Sequence, residues 1–598
     1  MEKRLPKRSE VKEEFTWNLK DIFESDEAFE EALKEASAYP AKLQAFEGRL
    51  AGSAATLLEF LKLQDEISVN LGKLYGYSSL KSDEDTGDSD GQIRKGKAMN
   101  IYVAIMGAGS FGTPEIIDID DAVLEGFYKE QPELEVYRRP LEQIRHSRDH
   151  VLGKESEMIL ARVRDVAGSP DRIGGILRNA DIKFADVTDS EGKAHPLSSG
   201  SFVLLEESAD RTLRENAFRE VYGKYGSLKN TLAAILDAQF KQLVFYSEMR
   251  KYGSTLEASL DRTEVPVAVY HNLIEAVHRN FDKMYKYVAL RKKLLGVDEL
   301  HMYDVYVPIV SDYDKKITFE EAKTVVKEAL SVLGPDYIEI LEQGFGNRWI
   351  DIYENEGKRS GAYSSGMSYP HPYVLLNHKD NLDSCFTLAH EMGHALHSFH
   401  STKNQPVCTS DYVIFVAEVA STVNEVLLMR YLLSKSQDKK ERAYLINHFL
   451  EQFKSTVYRQ TMFAEFELMM GKMAEEGTTL TADALCAKYH ELNRSYFGPD
   501  MISDEEISLE WARIPHFFYN YYVFQYATGF SAAVAIAEKI LSEGRPAVDA
   551  YKKFLSSGSS MDPISLLKIA GVDMSTPDPV NSGLKLFGEL LEEFGELF

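Results

Sequence analysis

His390-Glu391-Met392-Gly393-His394 places two imidazoles and a carboxylate within five residues. A helix advances about 100° per residue, so positions four apart lie on one face. His390 and His394 can then aim two ring nitrogens at one point, with Glu391 beside that point rather than on it. This is the H-E-x-x-H arrangement, in which two histidines bind zinc and the glutamate is the general base of peptide hydrolysis. With 15 His in the chain and Glu at roughly a tenth of positions, about 0.04 accidental matches are expected, so context must decide. The context is apolar: Cys385, Phe386, Leu388 and Ala389 precede the motif, and Ala395 and Leu396 follow it. Buried imidazoles need partners, and two on one face beside a carboxylate point to a shared metal. Asp383 or Ser384 is placed to cap this helix.

A catalytic zinc takes three protein ligands and keeps a fourth position open. Two candidates compete for the third place. His400 has the spacing of the last histidine in H-E-x-x-H-x-x-G-x-x-H, but that pattern needs glycine where this chain has His397. A side chain there fits poorly to the sharp turn, so His397 and His400 are expected to continue the helix or lie just past its end. Glu418 stands in the apolar run Val413–Glu425, bracketed by Ala417 and Val419. A carboxylate so placed is costly to bury unless it meets a cation. The missing glycine favours Glu418. Glu425 is seven residues further on, nearly on the same face; it is either an acceptor behind a ligating histidine or a solvated position.

Downstream, His516, Tyr519, Tyr521, Tyr522 and Tyr526 crowd into Arg513–Gly529. Aromatic residues at helical spacing usually pack in a core, yet five polar-tipped rings in one stretch are hard to bury without partners. Peptide hydrolysis develops an oxyanion, and side chains of this kind can donate to it.

With HEMGH, the Glu-x-x-Ser-x-x-x-Glu run from Glu418 to Glu425 and the Arg513–Gly529 segment, the sequence resembles the thimet oligopeptidase and oligoendopeptidase F group of zinc metallopeptidases. The resemblance spans most of the chain, and its specific motifs fall between about 360 and 530. It implies one zinc on His390, His394 and Glu418, a two-histidine, one-glutamate (gluzincin) site, with Glu391 as base. It also implies that the Arg513–Gly529 segment closes over substrate, giving His516 and a tyrosine to it. Tyr522 is the tyrosine we favour, with Tyr519 and Tyr526 as secondary candidates and Tyr521 as packing. A large, mainly α, two-lobed fold is further implied, with the zinc at the floor of a deep channel that admits short flexible peptides and excludes folded proteins.

The positioning elements can be read more coarsely. Ser360–Gly366 reads as a glycine-rich loop, and Pro372–Asn377 as a short strand leading to the zinc helix. Such a strand can hold a peptide by main-chain pairing, or be an ordinary structural hairpin. Ala28–Tyr39, Ala55–Leu80 and Gln92–Met106 carry apolar residues at helical intervals, with Pro40 stopping the first. Ser82–Gly91 reads as an acidic connector. Gly91–Ala98 nearly spells a phosphate-binding loop, but Ala98 lacks the required hydroxyl and no strand precedes it, so it reads as a loop opening a helix. A hairpin is expected over Ile182–Val187 and Lys193–His195, and long helices from near Asp210 past Leu295. A boundary near 200 would separate a helical N-terminal lobe, 1–200, from a catalytic lobe, 201–598.

At 598 residues and 44% hydrophobic, the composition is that of a globular protein. No run approaches the roughly 18 apolar residues of a membrane span, and the charged Met1–Arg8 start is not followed by an apolar signal core. Three scattered cysteines make no disulfide framework or zinc knuckle, so a reducing cytoplasm is expected. The net charge of −26 argues against nucleic acid and anionic membrane as partners. The expectation is a soluble zinc endo-oligopeptidase. A secreted metzincin-like protease using His400 and a helical peptide-binding protein with a structural zinc are the alternatives.

Overall fold

Capping residues and apolar periodicity set most of the chain into helices, and among the described residues the strands gather into three small sheets. The computed structural model describes residues 4–310, 315–366 and 370–598. Among them no helix is long and apolar enough to cross a membrane. The mainly α expectation is what the structure has.

The chain divides into two compact units: 1–148, 314–431 and 536–572 form the first, and 149–313, 432–535 and 573–598 the second. Residue 200, where the sequence suggests a boundary, lies inside the second unit. Two of the actual crossings fall within the continuous helices Ile414–Lys435 and Phe524–Glu543. No polar linker marks them, so composition carries no trace of them.

In the first unit, helix Ala54–Asp83 is capped by Ser53 and buries Leu57, Phe60, Leu61 and Leu74 in an N-terminal core. Pro40 occupies the first turn of Tyr39–Gln44, where no backbone donor is needed, so it opens a helix as well as following one. Asp88 accepts a hydrogen bond from the Gly91 N–H and starts the next helix at Ser89. The acidic connector is therefore only 84–88, and the near-phosphate-loop at Gly91–Ala98 is the interior of a helix rather than a loop that opens one. The Gly91 N–H is already used, which removes it as a phosphate donor.

The sheet of this unit has Tyr373–Leu375 at its centre, parallel to Ile350–Asp351 and antiparallel to the edge strand Tyr363–Ser365. The stretch 360–366 thus holds a strand as well as a loop; 367–369 lie outside the described residues. Lys358 is buried against the sheet, its Nζ 2.7 Å from both Asp351 Oδ1 and the Tyr353 carbonyl. Arg8 pairs with Asp351 at 2.5 Å and Glu84 at 3.0 Å, tying the N-terminal segment to the same sheet. Buried charges of this kind persist only when each finds its partner.

The second unit is built on Arg211–Ser227, Lys229–Met249, Val267–His278 and Phe281–Leu295, the last ended by Gly296 in a left-handed cap (φ 66°). The helical run expected past Leu295 stops there, because glycine takes that cap conformation without strain. The hairpin forms, but only as Val187–Thr188 with Ala194–His195. Ala185 instead donates its N–H to Glu220, outside the ladder. A parallel pair joins Leu300–His301 to Met501–Ile502.

Candidate active site

Helix Leu382–Asn404 carries the HEMGH motif, and its start is set by Asn381, whose side chain accepts from the Ser384 N–H at 2.9 Å. The cap is thus Asn381 rather than Asp383 or Ser384; Ser384 Oγ accepts from the Lys379 N–H instead. His390 and His394 share one face, as their spacing requires, with Nε2 atoms 3.2 Å apart. Each lies 3.4 Å from Glu418 Oε2 on helix Ile414–Lys435. A tetrahedron with such edges has its centre ~2.0 Å from each corner, the length of a zinc bond to imidazole nitrogen or carboxylate oxygen. Among the described residues these three form the donor group able to hold a metal ion. The residues fit the ion.

Behind them a second set fixes their aim. Glu425 accepts from His390 Nδ1, which turns Nε2 toward the donor group. Ser421 donates to the Glu418 carbonyl at 2.9 Å and reaches its Oε2 at 3.3 Å. Burial alone would lower the His390 pKa, but Glu418 and Glu425 outweigh it and push it up to about 10. The same field favours a cation at this point. For Glu418 burial works upward, and the two histidines overcome it, holding the carboxyl well below its usual range. Glu391 is buried beside them, and that burial raises its pKa despite His390 and His394.

Gly393 decides whether the two helices can meet. A Cβ there would sit 2.6 Å from Ser421 Cα and 2.7 Å from the Ala420 carbonyl oxygen. Asn424 closes the contact, donating to the Ala389 carbonyl at 3.1 Å while accepting from the Tyr337 hydroxyl at 3.0 Å. Gly393 and Ser421 lie within the HEMGH and Glu-x-x-Ser-x-x-x-Glu motifs, but neither motif tells that they touch, and Asn424 and Tyr337 carry no motif signal; a glycine inside a helix is the one sign of such close packing.

His400 does not join the donor group. The helix runs on to Asn404, carrying His397 onto Tyr412 (ring centroids 3.8 Å) and His400 onto Tyr337 (6.2 Å). Burial pulls their pKa values down to about 3 and about 4, as for neutral packed rings.

His516 and Tyr522 belong to the second unit. There the turn 515–523 buries Phe517, Phe518 and Tyr521, while His516 and Tyr522 remain partly accessible and Tyr519 is exposed. The His516 ring contacts Tyr519 (5.4 Å) and Tyr526 (6.1 Å), and Tyr522 contacts Tyr519 (6.3 Å) and Tyr526 (5.4 Å). Four polar-tipped rings thus form one cluster. Burial lowers the His516 pKa, helped by Arg459.

The peptidase family M3 model matches residues 204–586, and an oligopeptidase F model matches 115–184. Oligopeptidase PepF of Bacillus subtilis is 47% identical over 99% of this chain and 88% of its own length. Group B oligopeptidase PepB of Streptococcus agalactiae is 38% identical over 99% and 98%. The crystal structure of oligoendopeptidase-F from Enterococcus faecium superposes with a TM-score of 0.75 at 36% identity, covering 96% of this chain and 99% of that one. A Chlamydophila abortus structure does so with a TM-score of 0.93 at 35% identity, covering both chains fully. The chain belongs to peptidase family M3, in the oligoendopeptidase F group, and is a metalloendopeptidase.

Proposed function

We propose that this chain is a zinc-dependent endo-oligopeptidase that hydrolyses internal bonds of short peptides. The observation that carries the reading is the His390, His394 and Glu418 triangle, with edges of 3.2 to 3.4 Å. One zinc per chain, held by these three residues, would supply Lewis acidity at the scissile carbonyl. Glu391 takes the proton of the attacking water and delivers it to the leaving amine. Burial raises its pKa, which makes its carboxylate the stronger proton acceptor. His516 and Tyr522 donate to the oxyanion; the lowered pKa of His516 keeps its ring neutral, with one N–H to give. The restriction to short peptides follows the relatives' names, oligopeptidase and oligoendopeptidase. The cytoplasm is the proposed location, supported by three cysteines with no disulfide between them.

Two variants test the assignment. Glu391→Gln is expected to keep its zinc and lose hydrolysis. Glu418→Ala is expected to lose zinc, whereas His400→Ala keeps it. Full zinc content in Glu418→Ala would sink the ligand set. A zinc-loaded wild type that cleaves no member of a mixed short-peptide library would sink the enzyme reading.

A further inference from the structure

Two consecutive residues of the tyrosine-rich turn, Asn520 and Tyr521, have left-handed backbones, with φ of 56° and 60°. Asparagine tolerates that region; a tyrosine does not adopt it unless its surroundings impose it. A set of hydrogen bonds and one close approach does so. The Tyr521 N–H donates to Glu467 Oε1 at 2.5 Å. The Tyr521 hydroxyl lies 2.7 Å from Thr255 Oγ1, which itself lies 2.7 Å from Glu475 Oε1. Thr255 has one hydroxyl proton and gives it to Glu475, so Tyr521 is the donor to Thr255. Gly471, one turn beyond Glu467 on helix Arg459–Glu475, leaves room for that hydroxyl; a Cβ there would run into it. Gln239 secures the near side, donating to Asn520 Oδ1 at 2.9 Å and to the Phe518 carbonyl at 3.3 Å.

Glu467 is the odd member of this set. Its side chain is fully buried, and its Oε2 has no hydrogen-bond partner. A half-satisfied carboxyl in a helical core is destabilising, and an apolar residue of similar volume would pack there at lower cost. Stability alone therefore gives no reason for it. The bond to Tyr521 does, because it fixes the residue between Tyr519 and Tyr522. A relaxed Tyr521 backbone with negative φ would turn Tyr522 to a new direction and break up its cluster with Tyr519 and Tyr526.

We propose that Glu467 is a positioning residue for peptide hydrolysis: with Thr255 and Gly471 it latches Tyr521 in its left-handed conformation and so aims His516 and Tyr522 as a single face. This rests on the reading of His516 and Tyr522 as the side chains that meet the substrate. Glu467 touches neither substrate nor metal and acts only through the turn.

The test uses the full-length, zinc-loaded chain. Glu467→Ala is expected to lower kcat about 10- to 100-fold, with KM within about threefold and zinc content unchanged. Glu467→Gln keeps an acceptor for the Tyr521 N–H and is expected to hold kcat within about threefold of wild type. Hydrogen exchange supplies a readout independent of turnover: amides of 519–522 exchange faster in Glu467→Ala but not in Glu467→Gln, while the helix Arg459–Glu475 stays protected in both. Wild-type kcat and exchange in Glu467→Ala would overturn the latch, as would a Glu467→Gln variant that fails as fully as alanine. Wild-type kcat in both His516→Ala and Tyr522→Phe would overturn the reading beneath it instead, and the exchange data would still decide whether Glu467 holds the turn.

Discussion

Replacing Gly393 with alanine should force apart the two helices that hold the metal site. The new Cβ would lie 2.6 Å from Ser421 Cα, 2.7 Å from the Ala420 carbonyl oxygen and 2.9 Å from the Ser421 nitrogen. All three are backbone atoms, so no rotamer change relieves the overlap. Restoring ordinary contact requires the helix Ile414–Lys435 to retreat by about 0.8 Å. Glu418 rides on that helix, one turn before Ser421, and its 3.4 Å separations from the two histidines stretch with it. Zinc ligand distances tolerate only about 0.2 Å. The third ligand is therefore lost or badly strained, and zinc affinity should fall about 100-fold, equivalent to about 2.7 kcal/mol. Overpacking adds a folding penalty of about 1–3 kcal/mol. Competition with a chromogenic chelator measures the affinity, and thermal unfolding in excess chelator measures the packing penalty separately. An alanine variant with wild-type zinc affinity and unchanged melting would refute the argument that helix contact at Gly393 sets the site.

The acceptor behind His390 offers a milder perturbation. Glu425→Gln should weaken zinc binding by about tenfold, because the amide is a poorer acceptor for the His390 Nδ1–H; equal affinity by the same chelator titration would show that Glu425 does not orient the ring. Protonation should also mark the second unit. Burial pushes Glu206 and Glu467 up to about 8, despite nearby arginines at Glu206 and the Tyr521 N–H at Glu467. Unfolded, each ionises near the ordinary glutamate value, so between about pH 4.5 and 8 the unfolded chain binds fewer protons. Stability then falls as pH rises through that window, by up to about 1.4 kcal/mol per pH unit for each group, and levels off above it. Urea unfolding at pH 5.5 and 7.5 checks this: Glu467→Gln should lose less stability across the interval than wild type, and parallel losses would count against the raised pKa. Glu510 runs the other way. Burial raises it, but Arg459 and Arg513 prevail and hold it at about 2, so its contribution is present above the ordinary glutamate value and fades as pH drops toward 2.

Local chemistry made part of this molecule legible from its residues. The four-residue spacing of His390 and His394 puts both rings on one face of any helix, whatever surrounds it. A carboxylate among valines and alanines is costly enough to nominate Glu418 before any contact is known. The absent glycine at 397 counted against His400, and the helix does run on through both positions to Asn404. Periodicity also located the helices Ala54–Asp83 and Ser89–Ala108, though Asp88 as a cap moved the start of the second and turned an apparent loop at Gly91 into helix.

What the sequence could not supply depends on residues distant along the chain. Gly393 looks like an ordinary interruption until Ser421 is found against it, and the bond from Asn424 to Ala389 joins positions 35 apart. Tyr521 reads as another packing aromatic, but its backbone conformation is dictated by Glu467 and Thr255, 54 and 266 positions away. The two compact units are each assembled from three segments, with crossings hidden inside helices. Side-chain pattern reports which face of an element is buried. Only the folded chain decides what that face meets and how closely, and a metal triangle of 3.2 to 3.4 Å is set by that closeness.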